Sequence, residues 1–242
     1  SEKEKLLRDL EEVVRDVIRL SKESVDKLKE TVDRLVEESR RTVEELRRIV
    51  DRVAKEVKSK EVLDKTRDIV RKVEELNERI IRAIEDLVRK VEKLNEEVIR
   101  AIEEVVRRMA ELIRDKREDK ERVDRVVKEL ADELRRVLEK YEKILRDLAR
   151  ELKKLVDEHR RVVRELAEEL RKILKELKDK RGDDEIVKLL EDVVRELVEV
   201  LRKSTEVIER AVKKLVDILR ESLKLIEDVV RRLVEIMEEI VR

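Results

Sequence analysis

Apolar residues recur along this chain in columns eighteen residues apart. In the first stretch the columns read Leu6, Ser24, Thr42; Leu7, Val25, Val43; Leu10, Leu28, Leu46; Val14, Val32, Val50; and Val17, Leu35, Val53. Eighteen residues are five turns at about 3.6 residues per turn, the value for an unsupercoiled helix, whereas a seven-residue repeat imposes a left-handed supercoil. The pattern therefore predicts long, nearly straight helices. The segment LNERIIRAIEDLVRKVEKLNEEVIRAIEEV, from Leu76 to Val105, shows the repeat directly, because its second half opens as a near copy of its first. In the first and third helices the apolar cells form a continuous arc of about 140° on a helical wheel, as a bundle core requires.

The register changes three times. Were the first helix to continue, its stripe would next meet Lys60, Glu61, Asp64, Arg67, Asp68 and Arg71, all charged. The helix must break near Ser59, which suits an N-cap, with Glu61 favourable to the dipole in the first turn. A second register runs from Val62 to Ile113 and stops at DKREDKER, an unbroken charged run from Asp115 to Arg122. The third is the cleanest, with Val126, Ile144, Val162; Leu130, Leu148, Leu166; and Ala131, Ala149, Ala167, and it ends at KDKRGDDEI. Gly182 reads as the left-handed residue after that helix and Asp183 or Asp184 as the next N-cap. Helices are expected at about 2–58, 60–116, 120–180 and 184–241, rods of about 85 Å at 1.5 Å per residue. Short turns make neighbours antiparallel, so the expected fold is all-α: one straight, up-down-up-down four-helix bundle over residues 1–242.

Composition sharpens this picture more than it changes it. The chain is 54% charged, with one glycine and no proline, so few turns can exist. Lys plus Arg equal Asp plus Glu at 65 each, leaving no excess positive field to gather nucleic acid or anionic lipid. There is no cysteine, hence no disulfide and no thiolate chemistry. No apolar run exceeds two residues, and the opening SEKEKLLRDLEE is neither a signal nor a transit peptide, so a soluble chain without a membrane segment is expected.

Some cells of the apolar arc are polar: Ser21, Ser24, Ser39, Thr42, Asn77, Asn95, Tyr141, His159, Ser204 and Ser222. An unpaired buried polar group costs about 1 to 3 kcal/mol, so these should meet one another. Counting from turns near 59, 119 and 182 places them on two levels. Ser21, Ser24, Asn95, Tyr141 and Ser222 fall together about a third of the length from one end; Ser39, Thr42, Asn77, His159 and Ser204 with Thr205 do so from the other. Every helix contributes to both levels. Two buried hydrogen-bond networks are expected, acting through specificity, since a shifted register would leave donors and acceptors unpaired.

Regular 18-residue repeats, the near absence of Pro, Gly and aromatics, minimal turns and isolated Ser, Asn, Tyr and His in matched layers together resemble de novo designed helical bundles with buried hydrogen-bond networks. The resemblance covers the whole chain. It implies a structural scaffold or self-assembling subunit without natural biochemical activity, or alternatively a designed binding module, a heterodimer half or caged switch accepting a partner helix.

Other chemistry finds little support. His159 is the sole histidine, preceded by Val156 at i−3 and Leu155 at i−4, so neither a Glu-x-x-His nor a His-Glu-x-x-His metal motif exists. It reads as a core histidine. Arg181-Gly182-Asp183 matches an integrin-recognition tripeptide, yet a helix-ending glycine and a capping aspartate account for the same letters. Asn77 and Asn95 lack the following Ser or Thr of a glycosylation acceptor, and no Gly-rich phosphate loop is available. Neither an enzyme, a cofactor, a metal nor a small-molecule ligand is expected.

The fourth helix is wider than the others. Beyond the common arc it carries Leu189, Val207, Leu225 and Val200, Ile218, Ile236, where the corresponding cells of the first and third helices finish in charge. Left wet, such a stripe would be an unusually large apolar patch. It predicts a homo-oligomer, most simply a twofold dimer through helix four, with the small Ala83 and Ala101 admitting close approach of a neighbour. The alternatives are a designed partner chain, or a bundle that covers the stripe itself.

Overall fold

A computed structural model describes residues 1–115, 119–182 and 184–242. Among them the chain forms four α-helices and no strand: α1 Glu2–Glu56, α2 Lys60–Arg114, α3 Lys120–Arg181 and α4 Glu185–Val241. The starts are capped as the side chains demand. Ser1 Oγ accepts from the Glu4 N–H (3.3 Å), Ser59 Oγ from the Val62 N–H (3.4 Å) and Asp119 Oδ1 from the Arg122 N–H (3.3 Å), each satisfying the third orphan donor of its helix. Asp184 holds the capping position of α4, its carbonyl accepting from the N–H groups of Val187 and Lys188. The alternative cap, Asp183, and Lys116, Arg117 and Glu118 of the charged turn lie outside the described residues.

The helix ends differ instructively. Gly182 adopts φ +68°, and its N–H bonds the Lys178 carbonyl at 2.8 Å, the left-handed termination expected for this glycine. α1 stops at Glu56, two residues before the expected end, because Lys58 takes the same left-handed conformation at φ +48°. A lysine there costs about 1 to 2 kcal/mol that a glycine would avoid.

The chain forms two compact units. The first comprises Ser1–Lys29, Leu87–Arg150 and Leu215–Arg242; the second comprises Glu30–Asp86 and Glu151–Lys214. Each draws on all four helices and has its own aliphatic core. Leu10, Ile102, Leu130 and Leu134 are at most 1% exposed in the first unit, as are Leu35, Ile80, Ile84 and Leu170 in the second. Each such side chain contributes about 1.5 to 3 kcal/mol relative to leaving it in water.

Ion pairs along the seams record which helices are neighbours and in which sense. In the second unit Lys65, Lys72 and Arg79 of α2 meet Glu176, Glu169 and Glu158 of α3, descending on one helix as they climb on the other. The two are therefore antiparallel. Arg47 to Glu74 joins α1 to α2, Arg160 to Glu209 joins α3 to α4, and Arg52 to Glu196 with Lys203 to Glu45 closes the ring between α1 and α4. In the first unit Lys29 meets Glu92, Arg108 meets Glu129 and Glu133, and Lys27 and Arg232 meet Glu221 and Asp16. Exposed pairs of this kind contribute about 0 to 1 kcal/mol each, so they mark the order of the helices without holding it.

The open stripe expected on α4 is not open. Val200, Val207, Ile218 and Ile236 are 3 to 8% exposed within this single chain, and Leu189 and Leu225 are half-buried. On a helical wheel the six residues fall together on one flank, next to Glu196, Lys203, Glu221 and Arg232. Those four reach α1, so the flank lies at the α1–α4 seam. A wide arc on one helix thus offsets charged flanks on its neighbour. Ala83 and Ala101 are also half-buried.

Candidate functional site

The polar side chains within the cores are the candidate site, and each unit holds one cluster. In the second unit Ser39, Thr42, Asn77, His159, Ser204 and Thr205 are all buried, His159 completely at 0% exposure. The imidazole is held at both ends. Nε2 lies 2.7 Å from Asn77 Oδ1 and Nδ1 2.9 Å from Thr205 Oγ1. A carbonyl oxygen can only accept, so with the amide in this orientation Nε2 carries the proton and Nδ1 accepts from the Thr205 hydroxyl. The Asn77 Nδ2 donates to Ser204 Oγ at 3.3 Å, and the Ser204 hydroxyl lies 3.4 Å from Asn77 Oδ1. Side chains of α2, α3 and α4 are thereby joined at one level.

Burial sets the protonation state. Desolvation pushes His159 down from 6.5 to about 4, because an imidazolium would sit among aliphatic side chains with no carboxylate to pair it. A neutral ring fits these bonds, with Nε2–H donating to Asn77 Oδ1 and Nδ1 accepting from the Thr205 hydroxyl. A hydroxyl on an imidazole nitrogen is the contact a general base makes to a nucleophile. Here Thr205 is 7% exposed and His159 0%, so the pair is buried in the core of the second unit. Among the described residues no group of three His, Cys, Asp or Glu side chains is placed to hold a metal ion. None of their helices is long and apolar enough to cross a membrane.

The first unit places Ser21, Ser24, Asn95, Tyr141 and Ser222 together around one small cavity, and all five are buried. The Tyr141 hydroxyl donates to Asn95 Oδ1 at 2.7 Å, joining α3 to α2. Desolvation pushes this phenol above its ordinary range, so at neutral pH it keeps its proton and acts as a donor. The Ser222 hydroxyl is close enough to act against that rise, but it makes no bond of hydrogen-bond geometry.

Two details differ from the expected pattern. The Thr42 hydroxyl, expected in the cross-helix layer, donates to the Glu38 carbonyl of its own helix at 2.9 Å. Thr31 and Thr66, absent from the expected set, are buried as well. The Thr66 hydroxyl lies 3.0 Å from the carbonyls of both Val62 and Leu63. Threonine can return its donor to the preceding turn, so its burial needs no partner at the same level and leaves no cross-helix signal to find. No family model, curated protein or solved structure matches this chain.

Proposed function

We propose that the chain is a designed structural scaffold without natural biochemical activity, its polar layers selecting one helix order and one register. The carrying observation is the cluster of Asn77, His159, Ser204 and Thr205, which ties three helices through directional bonds inside an aliphatic core. Sliding α3 by one turn, about 5.4 Å, would break the bonds of His159 and leave buried groups unpaired at about 1 to 3 kcal/mol each. Aliphatic contacts alone tolerate such slips far better, because Leu, Ile and Val repeat at equivalent positions. The cluster contributes uniqueness more than net stability.

The scaffold is read as self-contained. The dimer expected through α4 drew on a stripe that is buried at four of its six positions. The test is the double variant Asn77→Leu with His159→Leu. It is expected to stay helical and at least as resistant to guanidinium, while its amide NMR resonances broaden or multiply. A variant that keeps one sharp resonance per residue would remove the role assigned to the layer.

A further inference from the structure

Asn95 Nδ2 and Ser222 Oγ are, among the described residues, the two buried side-chain polar atoms without a hydrogen-bond partner. Both residues line the same cavity, with Ser21, Ser24 and Tyr141 supplying further polar groups. The second unit supplies the contrast. There both ends of the Asn77 amide are engaged, the oxygen by His159 and the nitrogen by Ser204. In the first unit Tyr141 engages only the oxygen of Asn95, and Ser222 makes no bond in place of one that Ser204 makes.

The cavity measures about 10 Å³ as room for the centre of a water-sized sphere. That is about the space one water needs, and too little for any larger ligand. We propose that this cavity is a binding site for a single structural water, which accepts a hydrogen from Asn95 Nδ2 and donates one to Ser222 Oγ. The hydroxyls of Ser21 and Ser24 line the same space, so the two to four polar partners that a buried water requires are at hand. Leaving two buried groups unpaired costs more than immobilising one water, which decides the direction of the equilibrium. The site links α2 to α4 in the first unit, and it holds whatever use the chain was made for.

The experiment counts long-lived waters by deuterium and oxygen-17 magnetic relaxation dispersion, on the full chain and on Ser222→Val, whose side chain fills the cavity and removes one partner. The wild-type chain is expected to hold one more long-lived water than the variant. Water cross-peaks to the Asn95 side-chain amide should be present in the wild type and lost in the variant. Ser24→Val, which narrows the cavity from α1, serves as a second comparison if circular dichroism shows Ser222→Val unfolded. Equal counts in wild type and a folded variant, or no water cross-peak at the wild-type Asn95 amide, would overturn the proposal.

Discussion

His159 couples folding to pH with a sign and a size that follow from its surroundings. Unfolded, the imidazole takes up a proton near pH 6.5; folded, desolvation holds it unprotonated down to about pH 4. Between those values the unfolded chain binds one more proton than the folded chain, so stability rises with pH. The contribution is fully present above 6.5 and is lost as pH falls toward 4. At about 1.36 kcal/mol per pH unit the whole window amounts to about 3 kcal/mol, of which about 2 kcal/mol is gone by pH 5. Carboxylates confuse the raw curve. Asp16, for example, is held below the usual carboxylate range by its hydrogen bond from Arg232, and such groups titrate identically in a variant that lacks only the imidazole. The comparison is therefore between the wild type and His159→Gln, by guanidinium denaturation at several pH values from 8 to 4.5. Wild type should lose about 2 kcal/mol more than His159→Gln between pH 8 and pH 5. Parallel curves, or an imidazole that titrates near 6.5 by NMR in the folded protein, would refute the reasoning.

Four other perturbations have worked directions. Lys58→Gly should stabilise the chain by about 0.5 to 1 kcal/mol, the relief of left-handed strain less the added freedom of the unfolded chain, whereas Gly182→Ala should cost about 1 kcal/mol. Nothing lies within 4 Å of the added Cβ at Gly182, so backbone conformation alone sets that cost, and denaturant midpoints read both variants. Tyr141→Phe removes the donor to Asn95 Oδ1 and should cost about 1 to 3 kcal/mol by the same assay. Val200→Glu places a carboxylate at a position only 3% exposed, and should destabilise the single chain by more than about 2 kcal/mol; unchanged stability with an altered mass by light scattering would instead restore α4 as an interface.

Much of this fold was legible because each helix obeys one period. The phase breaks after Val53 and before Val62 could be read from charge alone, and Ser59 and Gly182 cap and end helices as their chemistry requires. The polar positions were legible for a related reason. Asn77, His159, Ser204 and Thr205 interrupt aliphatic columns at one level, and four long antiparallel helices bring equal levels together. What could not be read was how neighbouring surfaces divide the work of covering one another. The stripe from Leu189 to Ile236 looks excessive on its own helix, because no wheel drawn for α4 contains the side chains that α1 lays beside it. Lys58 escaped for another reason, since its left-handed conformation is set by the geometry of the turn and not by its own preference.

The central claim, that polar layers select one register, is tested most directly by a distance measured in solution. The chain has no cysteine, so cysteines at Arg41 on α1 and Arg161 on α3, both exposed and in the second unit, accept spin labels at those sites alone. Electron paramagnetic resonance should give one narrow distance distribution in the otherwise native chain. Replacing Asn77, His159, Ser204 and Thr205 together by aliphatic residues should broaden that distribution or add a second maximum displaced by a register step of about 5.4 Å along the helix, with helicity retained. A distribution as narrow and unshifted in the aliphatic variant as in the native chain would contradict the account.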